Sequence, residues 1–323
     1  MTYADLMRLA NSHAESKSLL IASEMGVFTA LGGTARRAED LARRCRTTRE
    51  GMRLLLNALV GLGLLSVRQG LYRNRPLARK FLDERSPAAV TNLLWLLTHH
   101  WADWTDMSRA IRRGRPGWAP VTATAAFRRR FALAMHERSH ALTPPTVATI
   151  RLPQRAVRLL DLGGGPGSYS IALARRYPKL TGLIVDQSVS VARSLIREHH
   201  LQDRLAVRAG DVFAARLGGG YDAALVANLL HDFHGKDNRR LLARLHRVLK
   251  PGGKLFVIEF FLDDSLTKPV EASVFSLLMY KFTPGGRSYG WREVERWLAD
   301  LGFGRFRRRR VMGSIGTLEA TRL

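Results

Sequence analysis

Residues 157–178, VRLLDLGGGPGSYSIALARRYP, place a cluster of glycines between a short apolar run and a helical pattern. The apolar run predicts a buried strand, and the residues after Gly167 follow helical periodicity. A glycine-rich turn from a strand into a helix allows the backbone to approach a bound ligand closely. We therefore expect a strand–turn–helix unit that forms part of a ligand site.

The pattern of strands and helices continues along the C-terminal half of the chain. Helical segments at about 167–177, 188–200 and 236–249 alternate with the strand-like runs LTGLIVD, RLAVRAGD, YDAALVAN and KLFVIEFFL. This succession predicts an α/β fold, a Rossmann-like parallel sheet covered by helices. Ligands of such sheets bind beyond the carboxyl ends of the strands, where the glycine turn lies. The arginine-rich run 305–310 is typical of an edge strand protected by charge.

The N-terminal part has a different pattern. Its second clear helix ends at Gly61 to Gly63, and two short β-like runs follow around Gly70. This order predicts a winged helix-turn-helix domain over residues 1–90. Residues 91–153 predict a helical connector that lines an apolar substrate pocket, and residues 154–323 form the α/β domain. Pro144, Pro145 and the turn 151–155 are interpreted as the linker. The apolar positions of the helix are Met52, Leu55, Leu56, Leu59 and Leu62.

Composition narrows the classes of protein. A single cysteine, Cys45, excludes an internal disulfide and a multi-cysteine metal site, and no cluster of histidines and carboxylates predicts another metal site. No secretory signal and no long apolar run is visible, so a cytoplasmic location is expected. Lys and Arg number 52 against 27 Asp and Glu, a net charge of +25. This charge would attract nucleic acid or anionic lipid, unless it reflects only solvated arginine-rich helix faces.

Three acids stand at the predicted ends of three strands. They are Asp161, Asp186 and Asp211, and Asp186 lies near the distance from the glycine turn at which an acid meets ribose hydroxyls. Three carboxylates repel a pyrophosphate. The acids therefore favour a cationic nucleoside as the ligand of the turn.

Similarity to a known family rests on four segments and the acid Asp186: LLDLGGGPGSYSIALARRYP, AGDVF, ANLLHDFHGKDNRRLLARLHRVLKPGGKLFVIEFFL and TPGGRSYG. They resemble the S-adenosylmethionine-dependent O-methyltransferases of bacterial secondary metabolism and plant phenol methylation, which include the hydroxyneurosporene and aromatic polyketide enzymes. The resemblance covers nearly the whole chain. It implies S-adenosylmethionine as the cofactor, a Rossmann-like methyltransferase domain, an N-terminal winged-helix dimerisation domain and a homodimer. The implied substrate is a hydroxyl group on an aromatic or polyketide-like small molecule.

The resemblance implies a cofactor site around the glycine turn. The backbone from Gly163 to Gly167 would approach the methionine part, Asp186 would bind both ribose hydroxyls, and Asp211 would bind the adenine amino group. Val212 or Phe213 would pack against the adenine ring. The implied cofactor residues are together Ser139, Asp161, Gly163, Gly165, Asp186, Gln187, Asp211, Val212, Phe213 and Asn228.

The segment RRFALAMHERSH supplies three further implied site residues. Phe131 and Met135 match substrate-packing positions, and Ser139 matches a polar contact to the cofactor. The alternative is that all three are plain helix-core residues. Asp232 is placed on the substrate side, with a cap for the following helix as its alternative.

His231 is the candidate general base. A phenol has a pKa near ~10 and needs a base to take its proton during methyl transfer, and histidine, unperturbed near ~6.5, suits this role. In the resembled family, a glutamate at the position of Glu259 binds the far nitrogen of the histidine. Phe233 stands where the family usually has tryptophan, and Gly235 replaces an acid. Neither Glu293 nor Glu295 can be assigned as a second support for the histidine.

Other functions stay open at this point. A member of the same fold could methylate nitrogen or carbon, or use the cofactor without methyl transfer. The winged helix, with Arg49 and Arg53 on its second helix, could bind DNA phosphates, although the resemblance favours dimerisation. Weak association with an anionic membrane, with a lipophilic substrate, is a further alternative.

Overall fold

The computed structural model describes residues 1–115, 124–153, 155 and 157–323. The chain divides into two compact units, Met1–Ala102 and Asp103–Leu323. The predicted connector 91–153 is thus shared between the two units, and Gln154, at the predicted boundary, lies outside the described residues. Within the described ranges, none of the helices combines the length and the apolar character needed to cross a bilayer.

The N-terminal unit consists of helices and one antiparallel hairpin. Its core is formed by apolar side chains such as Phe28, Leu41 and Leu56, which are fully buried. The hairpin follows the helices of this unit along the chain, and the winged-helix interpretation stays a prediction. The elements are α1 (Tyr3–Glu24), α2 (Val27–Leu31), α3 (Ala38–Arg44), α4 (Arg49–Gly61), β1 (Leu65–Arg68), β2 (Leu71–Asn74), α5 (Pro76–Phe81) and α6 (Thr91–Thr105), the last extending across the division between the units.

The C-terminal unit is built around one mixed sheet. In the described part of the chain the strand order is β5-β4-β3-β6-β7-β9-β8; the pairs up to β7 are parallel and the last two pairs are antiparallel. Its elements are α7 (Met107–Arg113), α8 (Ala125–Thr149), β3 (Val157–Leu162), α9 (Ser168–Arg176), β4 (Leu180–Asp186), α10 (Ser190–Glu198), β5 (Leu205–Ala209), β6 (Tyr221–Ala227), a 3-10 turn (Leu230–Asp232), α11 (Gly235–Val248), β7 (Leu249–Phe260), α12 (Val270–Phe282), α13 (Trp291–Asp300), β8 (Phe303–Met312) and β9 (Ile315–Arg322).

Helices cover both faces of this sheet, which explains why its central strands are continuously apolar. Leu159 and Leu160 of β3 point to opposite faces because side chains alternate along a strand. Leu159 packs in the core with residues of α9 and α10, and Leu160 packs in the core with residues of α11 and α13. The predicted α/β fold is therefore confirmed, and the antiparallel strand β9 was not predicted from the sequence.

The arginine-rich run forms the edge of the sheet, as predicted. Among the described strands, β8 pairs with β9 alone, and its residues Arg307 to Arg310 are exposed. Arg308 forms an ion pair with Glu295 of α13, with the two closest atoms 2.5 Å apart. Charged side chains along an exposed edge oppose pairing with a strand of another molecule.

Pro144 and Pro145 lie inside α8, so their assignment to a linker is wrong. A proline removes a backbone donor and its ring collides with the preceding turn, which is why the sequence suggests a break. Tertiary contacts hold the last turn in place instead. Val147 is buried in the core, and its carbonyl oxygen accepts a hydrogen bond from Nη1 of Arg176 at 2.6 Å.

Candidate active site

His231 and Glu259 meet at the carboxyl end of the sheet. The parallel register pairs Ala227, the last residue of β6, with Ile258 of β7, so the residues after them become neighbours. Nδ1 of His231 lies 2.8 Å from Oε2 of Glu259, and the backbone N–H of Leu230 donates to Oε1 of the same carboxylate at 2.8 Å. His231 is 7% exposed and Glu259 is 4% exposed. The glutamate therefore holds the imidazole by one nitrogen and leaves Nε2 on the other side.

The charges around His231 set its protonation. Burial alone would lower the pKa of His231, but the charges of Glu259 and Asp232 and the hydrogen bond to Glu259 raise this pKa above its ordinary value. Oδ1 of Asp232 lies 3.7 Å from Nε2. The side chain of Asp232 is 45% exposed, so it faces an open cleft beside the imidazole. It does not cap the following helix, because the N-cap residue of α11 is His234.

The loop between α12 and α13, which contains the TPGGRSYG segment, packs against the 3-10 turn of His231. A Cβ atom at Gly286 would overlap with the carbonyl oxygen of His231 and would lie 2.6 Å from Oγ1 of Thr283. The hydroxyl of Tyr289 donates to the carbonyl oxygen of Phe233. This loop therefore fixes the backbone that carries the imidazole, a role that was not predicted from the sequence.

Two phenylalanines and an arginine form a wall beside the imidazole. The ring centroid of Phe275 lies 4.9 Å from that of His231, and Phe260 stacks on Phe275 at 4.3 Å. The guanidinium carbon of Arg138, on α8, lies 5.0 Å from the ring centroid of Phe260. These three residues are not among those predicted from the sequence. Arg138 shares a helix face with Phe131 and Met135, and that spacing is the signal that could have identified it.

The glycine turn has the conformation expected of a ligand-binding backbone. Gly163 and Gly165 have φ angles of 74° and 53°, in the left-handed region that favours glycine. A Cβ atom at Gly165 would meet nothing within 4 Å, so this part of the backbone faces open space. The helix α9 begins directly after the turn, at Ser168.

Asp161 lies beneath this turn and is almost completely buried. Its Oδ2 accepts a hydrogen bond from the hydroxyl of Ser170 at 2.6 Å, whereas its Oδ1 accepts none from the described residues. Burial raises the pKa of Asp161 to about 6, although the bond from Ser170 opposes this shift. A cationic group near the turn would offset the cost of burying this carboxylate.

The two other strand-end acids are closer to the surface. Asp186 accepts hydrogen bonds from the backbone N–H of Gly165 at 2.9 Å and of Ser188 at 2.8 Å. Burial raises the pKa of Asp186, and these two bonds partly oppose the rise. Oδ1 of Asp211 accepts from the backbone N–H of Phe213 at 2.7 Å, and Nε2 of Gln187 lies 3.4 Å from Oδ2 of Asp211. Hydrogen bonds thus link Gly165 to Asp186 and Gln187 to Asp211, so these four residues form one set beside the turn.

Aromatic and apolar groups lie next to this set. The ring of Phe213 packs edge-on against Phe233 with a centroid distance of 4.9 Å, and the guanidinium carbon of Arg240 lies 4.7 Å from the ring of Phe213. Val212 is buried in the core. Asn228, after β6, has a φ of 52°, and its backbone N–H donates to the carbonyl oxygen of Ile258 at 2.8 Å.

The predicted residues of α8 take different positions. Phe131 is 42% exposed and stacks on Phe127, so it is not a core residue of this unit. Met135 is half-buried. Ser139 is buried, and its hydroxyl donates to the carbonyl oxygen of His136 at 2.6 Å, within the helix. Ser139 therefore already has a partner, and the helix connects to the glycine turn through Nδ1 of His136, 2.9 Å from Oγ of Ser168.

Glu293 and Glu295 do not support the histidine. Oε1 of Glu293 accepts from Nη2 of Arg287 at 2.7 Å, and Glu295 pairs with Arg308. No group of three or more His, Cys, Asp or Glu side chains within the described ranges is placed to hold a metal ion.

The residues present fit S-adenosylmethionine. Oδ1 of Asp161 is a buried carboxylate oxygen with no hydrogen bond from the described residues, which suits a ligand with positive charge. The open backbone at Gly165 leaves room for close approach, and Asp186 and Asp211 provide acceptors on the adjoining strand ends. The carboxyl end of the sheet therefore has the acids, the open turn and the aromatic rings that such a cofactor needs.

Comparisons with known proteins identify the family of this chain. The family model described as an O-methyltransferase domain matches residues 81–304, and the model described as an O-methyltransferase dimerisation domain matches residues 7–84. A 3-hydroxy-5-methyl-1-naphthoate 3-O-methyltransferase of Streptomyces sahachiroi is 31% identical over 308 residues, which cover 92% of this chain and 88% of the relative. The N,N-dimethyltransferase OxyT of Streptomyces rimosus is 28% identical over 274 residues, 81% of this chain and 79% of the relative.

A solved structure shows the same fold over almost the whole chain. The crystal structure of human N-acetylserotonin methyltransferase in complex with SAM has a TM-score of 0.89 and 25% identity, covering 99% of this chain and 97% of that one. The family is shown by the two family models and by the relative above 30% identity, and the structural match agrees with it. The chain belongs to the S-adenosylmethionine-dependent O-methyltransferases.

Proposed function

We propose that this enzyme methylates a hydroxyl group on an aromatic or polyketide-like small molecule, with His231 as general base. The observation that carries this proposal is the 2.8 Å contact between Nδ1 of His231 and Oε2 of Glu259. This contact lies at the carboxyl end of the sheet, where the glycine turn also lies. The relative from Streptomyces sahachiroi, named for an aromatic naphthoate, supports the choice of substrate class.

His231 would remove the proton of the acceptor hydroxyl through Nε2. Glu259 keeps a proton on Nδ1, so the neutral imidazole presents an unprotonated Nε2 to the cleft. The same carboxylate stabilises the imidazolium that forms when the hydroxyl loses its proton. S-adenosylmethionine supplies the electrophilic methyl group when bound. Phe260 and Phe275 keep water away from the imidazole and offer flat surfaces to an aromatic acceptor.

The cofactor would be held by the turn and the strand-end acids. We assign the ribose hydroxyls to Asp186, the adenine amino group to Asp211 and the adenine ring to Val212 and Phe213. Asp161 balances positive charge near Gly163 and Gly165, and Gln187 and Asn228 border the site. Ser139 would contact the cofactor only if its hydroxyl turned from the carbonyl oxygen of His136. On the substrate side stand Phe131, Met135 and Asp232.

Asp186→Ala is expected to weaken the binding of S-adenosylhomocysteine by about tenfold or more, because a charge-assisted hydrogen bond is lost. The measurement is isothermal titration calorimetry on both proteins. Asp203→Ala is the control, since it removes an exposed acid of the same unit. Equal affinity of the Asp186 variant and the wild type would contradict this assignment.

Glu259→Gln is expected to move the rise of kcat with pH to lower pH. In the wild type the negative charges of Glu259 and Asp232 hold the pKa of His231 above 6.5, against burial and the positive charge of Arg138, so the unprotonated base forms only above that raised value. Removing the charge of Glu259 lowers this pKa, and we expect the plateau of kcat to fall by about tenfold or more, since the imidazolium is less stabilised.

The pH dependence of kcat tests this expectation. Glu319→Gln is the matched control, because Glu319 is also a buried strand glutamate but pairs with Lys254 at 2.6 Å. It is expected to leave the position of the rise unchanged. A rise at the same pH in the Glu259 variant would show that Glu259 does not control the protonation of His231.

We further propose that the enzyme is a homodimer. The match to a dimerisation domain over residues 7–84 supports this, as do apolar side chains of α1 that are exposed in the single chain, namely Tyr3, Leu6 and Leu9. A cytoplasmic location stays a prediction from the sequence. The alternative of weak membrane association finds no support in the comparisons.

Methylation of nitrogen is the second candidate, favoured by the similarity to the N,N-dimethyltransferase OxyT. The deciding experiment incubates the enzyme with S-adenosylmethionine and a panel of aromatic acceptors that carry hydroxyl groups, amino groups or both. Products are located by mass spectrometry and NMR. An O-methyl product supports the first proposal, and exclusive N-methylation would replace it.

A further inference from the structure

Arg138 holds a positive charge inside the wall beside His231. Its guanidinium carbon lies 5.0 Å from the ring centroid of Phe260 and 5.8 Å from that of Phe275. Both rings also pack against the imidazole, with centroid distances of 6.1 Å and 4.9 Å. The guanidinium and the proposed base therefore border the same aromatic pair.

In the described part of the chain, no carboxylate forms an ion pair with Arg138. Its guanidinium forms no hydrogen bond with a described residue, and it lies near the rings of Phe260 and Phe275. A guanidinium stays charged in proteins, and burial of an unpaired charge is unfavourable. The N–H donors of a guanidinium lie in its plane, in an arrangement that matches the two oxygens of a carboxylate.

Burial of the Arg138 side chain also affects pKa values in this site. It lowers the pKa of Arg138 below its ordinary value, and the positive charge of Arg138 in turn acts to lower the pKa of His231. The geometry agrees with this influence, since both groups pack against the same two rings. An anion bound to Arg138 would remove this effect on the base.

The position of Arg138 on α8 places it on the side of the site where the acceptor molecule would bind, next to His231. Phe131, Met135 and Arg138 follow at intervals of four and three residues, so they lie on one face of the helix. His136 and Ser139 lie on another face, where His136 reaches Ser168 at the start of α9. The face of Arg138 is therefore the one that meets the rings at His231, whereas the other face meets the glycine turn.

We propose that Arg138 binds a carboxylate of the acceptor molecule, so that the natural substrate is a hydroxylated aromatic acid. This inference rests on the proposed function. The planar guanidinium would form paired hydrogen bonds with the carboxylate and orient the ring so that its hydroxyl faces His231. The methionine carboxylate of the cofactor has the same chemistry, and the experiment separates the two sources.

The test uses pairs of acceptors that differ only by a carboxylate, on benzene, naphthalene and anthraquinone rings. Their binding to the enzyme saturated with S-adenosylhomocysteine is measured by calorimetry, which does not depend on turnover. The wild type is expected to bind at least one acid about tenfold or more tightly than its neutral match. Arg138→Met is expected to remove this preference, with S-adenosylhomocysteine affinity within twofold of the wild type.

Two further variants define the outcome. Arg129→Met removes an exposed arginine from the same helix and is expected to keep the preference, whereas Arg138→Lys keeps the charge without the planar fork and is expected to lose most of it. Retained cofactor binding shows that each variant is folded. Lack of preference for any acid in the wild type, or a preference unchanged in Arg138→Met, would overturn the proposal.

A tenfold loss of S-adenosylhomocysteine affinity in Arg138→Met, with the acceptor preference intact, would assign Arg138 to the cofactor carboxylate instead. Failure of the proposed function would give a different experimental result. In that case the wild type binds the acids through Arg138 but methylates no hydroxyl group of the panel.

Discussion

His231→Ala is expected to lower kcat by about 100-fold or more while S-adenosylhomocysteine binds with nearly unchanged affinity. The imidazole is the proposed base of the cleft, held through Nδ1 by Glu259 at 2.8 Å, with Nε2 directed away from that carboxylate. A phenol acceptor with a pKa of ~10 is mostly protonated at neutral pH. The variant lacks the imidazole that would take its proton. Steady-state kinetics and calorimetry measure the two quantities.

The control is His234→Ala. His234 stands three residues further along the same segment and is exposed, so kcat is expected to stay within twofold of the wild type. Turnover of the His231 variant at the wild-type rate would show that His231 is not the general base. A parallel loss of S-adenosylhomocysteine affinity would instead indicate that the substitution disturbs the cofactor site.

Gly286→Ala is expected to reduce stability by about 1–3 kcal/mol or more, because the added Cβ would overlap with the carbonyl oxygen of His231. The second close neighbour, Oγ1 of Thr283 at 2.6 Å from that Cβ, accepts the backbone N–H of Gly286 and cannot move without losing this bond. Backbone atoms cannot rotate away as a flexible side chain can. The 3-10 turn must shift, and with it the imidazole.

The shift should also reduce kcat, by about tenfold or more, since small displacements of a catalytic group are costly. Urea denaturation measures stability, and kinetics are recorded under conditions where the variant is folded. Gly219→Ala is the control, because a Cβ there would meet nothing within 4 Å. Equal behaviour of the two variants would show that the loop does not hold the turn of His231.

Much of the candidate site could be predicted from short segments. Gly163, Gly165 and Asp186 are recognisable because a strand, a tight turn and a helix form from neighbouring residues, and the glycines are needed for their positive φ angles. The edge position of the arginine-rich strand β8 also follows from local charge. The pairing of His231 with Glu259 needed the resemblance, since 28 residues separate them.

The sequence by itself determined the α/β pattern, the glycine turn and the strand-end acids, because these depend on local periodicity and backbone conformation. Tertiary structure alone decided that α8 continues through Pro144 and Pro145, since burial of Val147 stabilises the last turn against the loss of backbone bonds. It also placed Arg138 beside Phe275, which is distant in the sequence. Such contacts arise only when helices pack together on the finished sheet, and no local pattern encodes them.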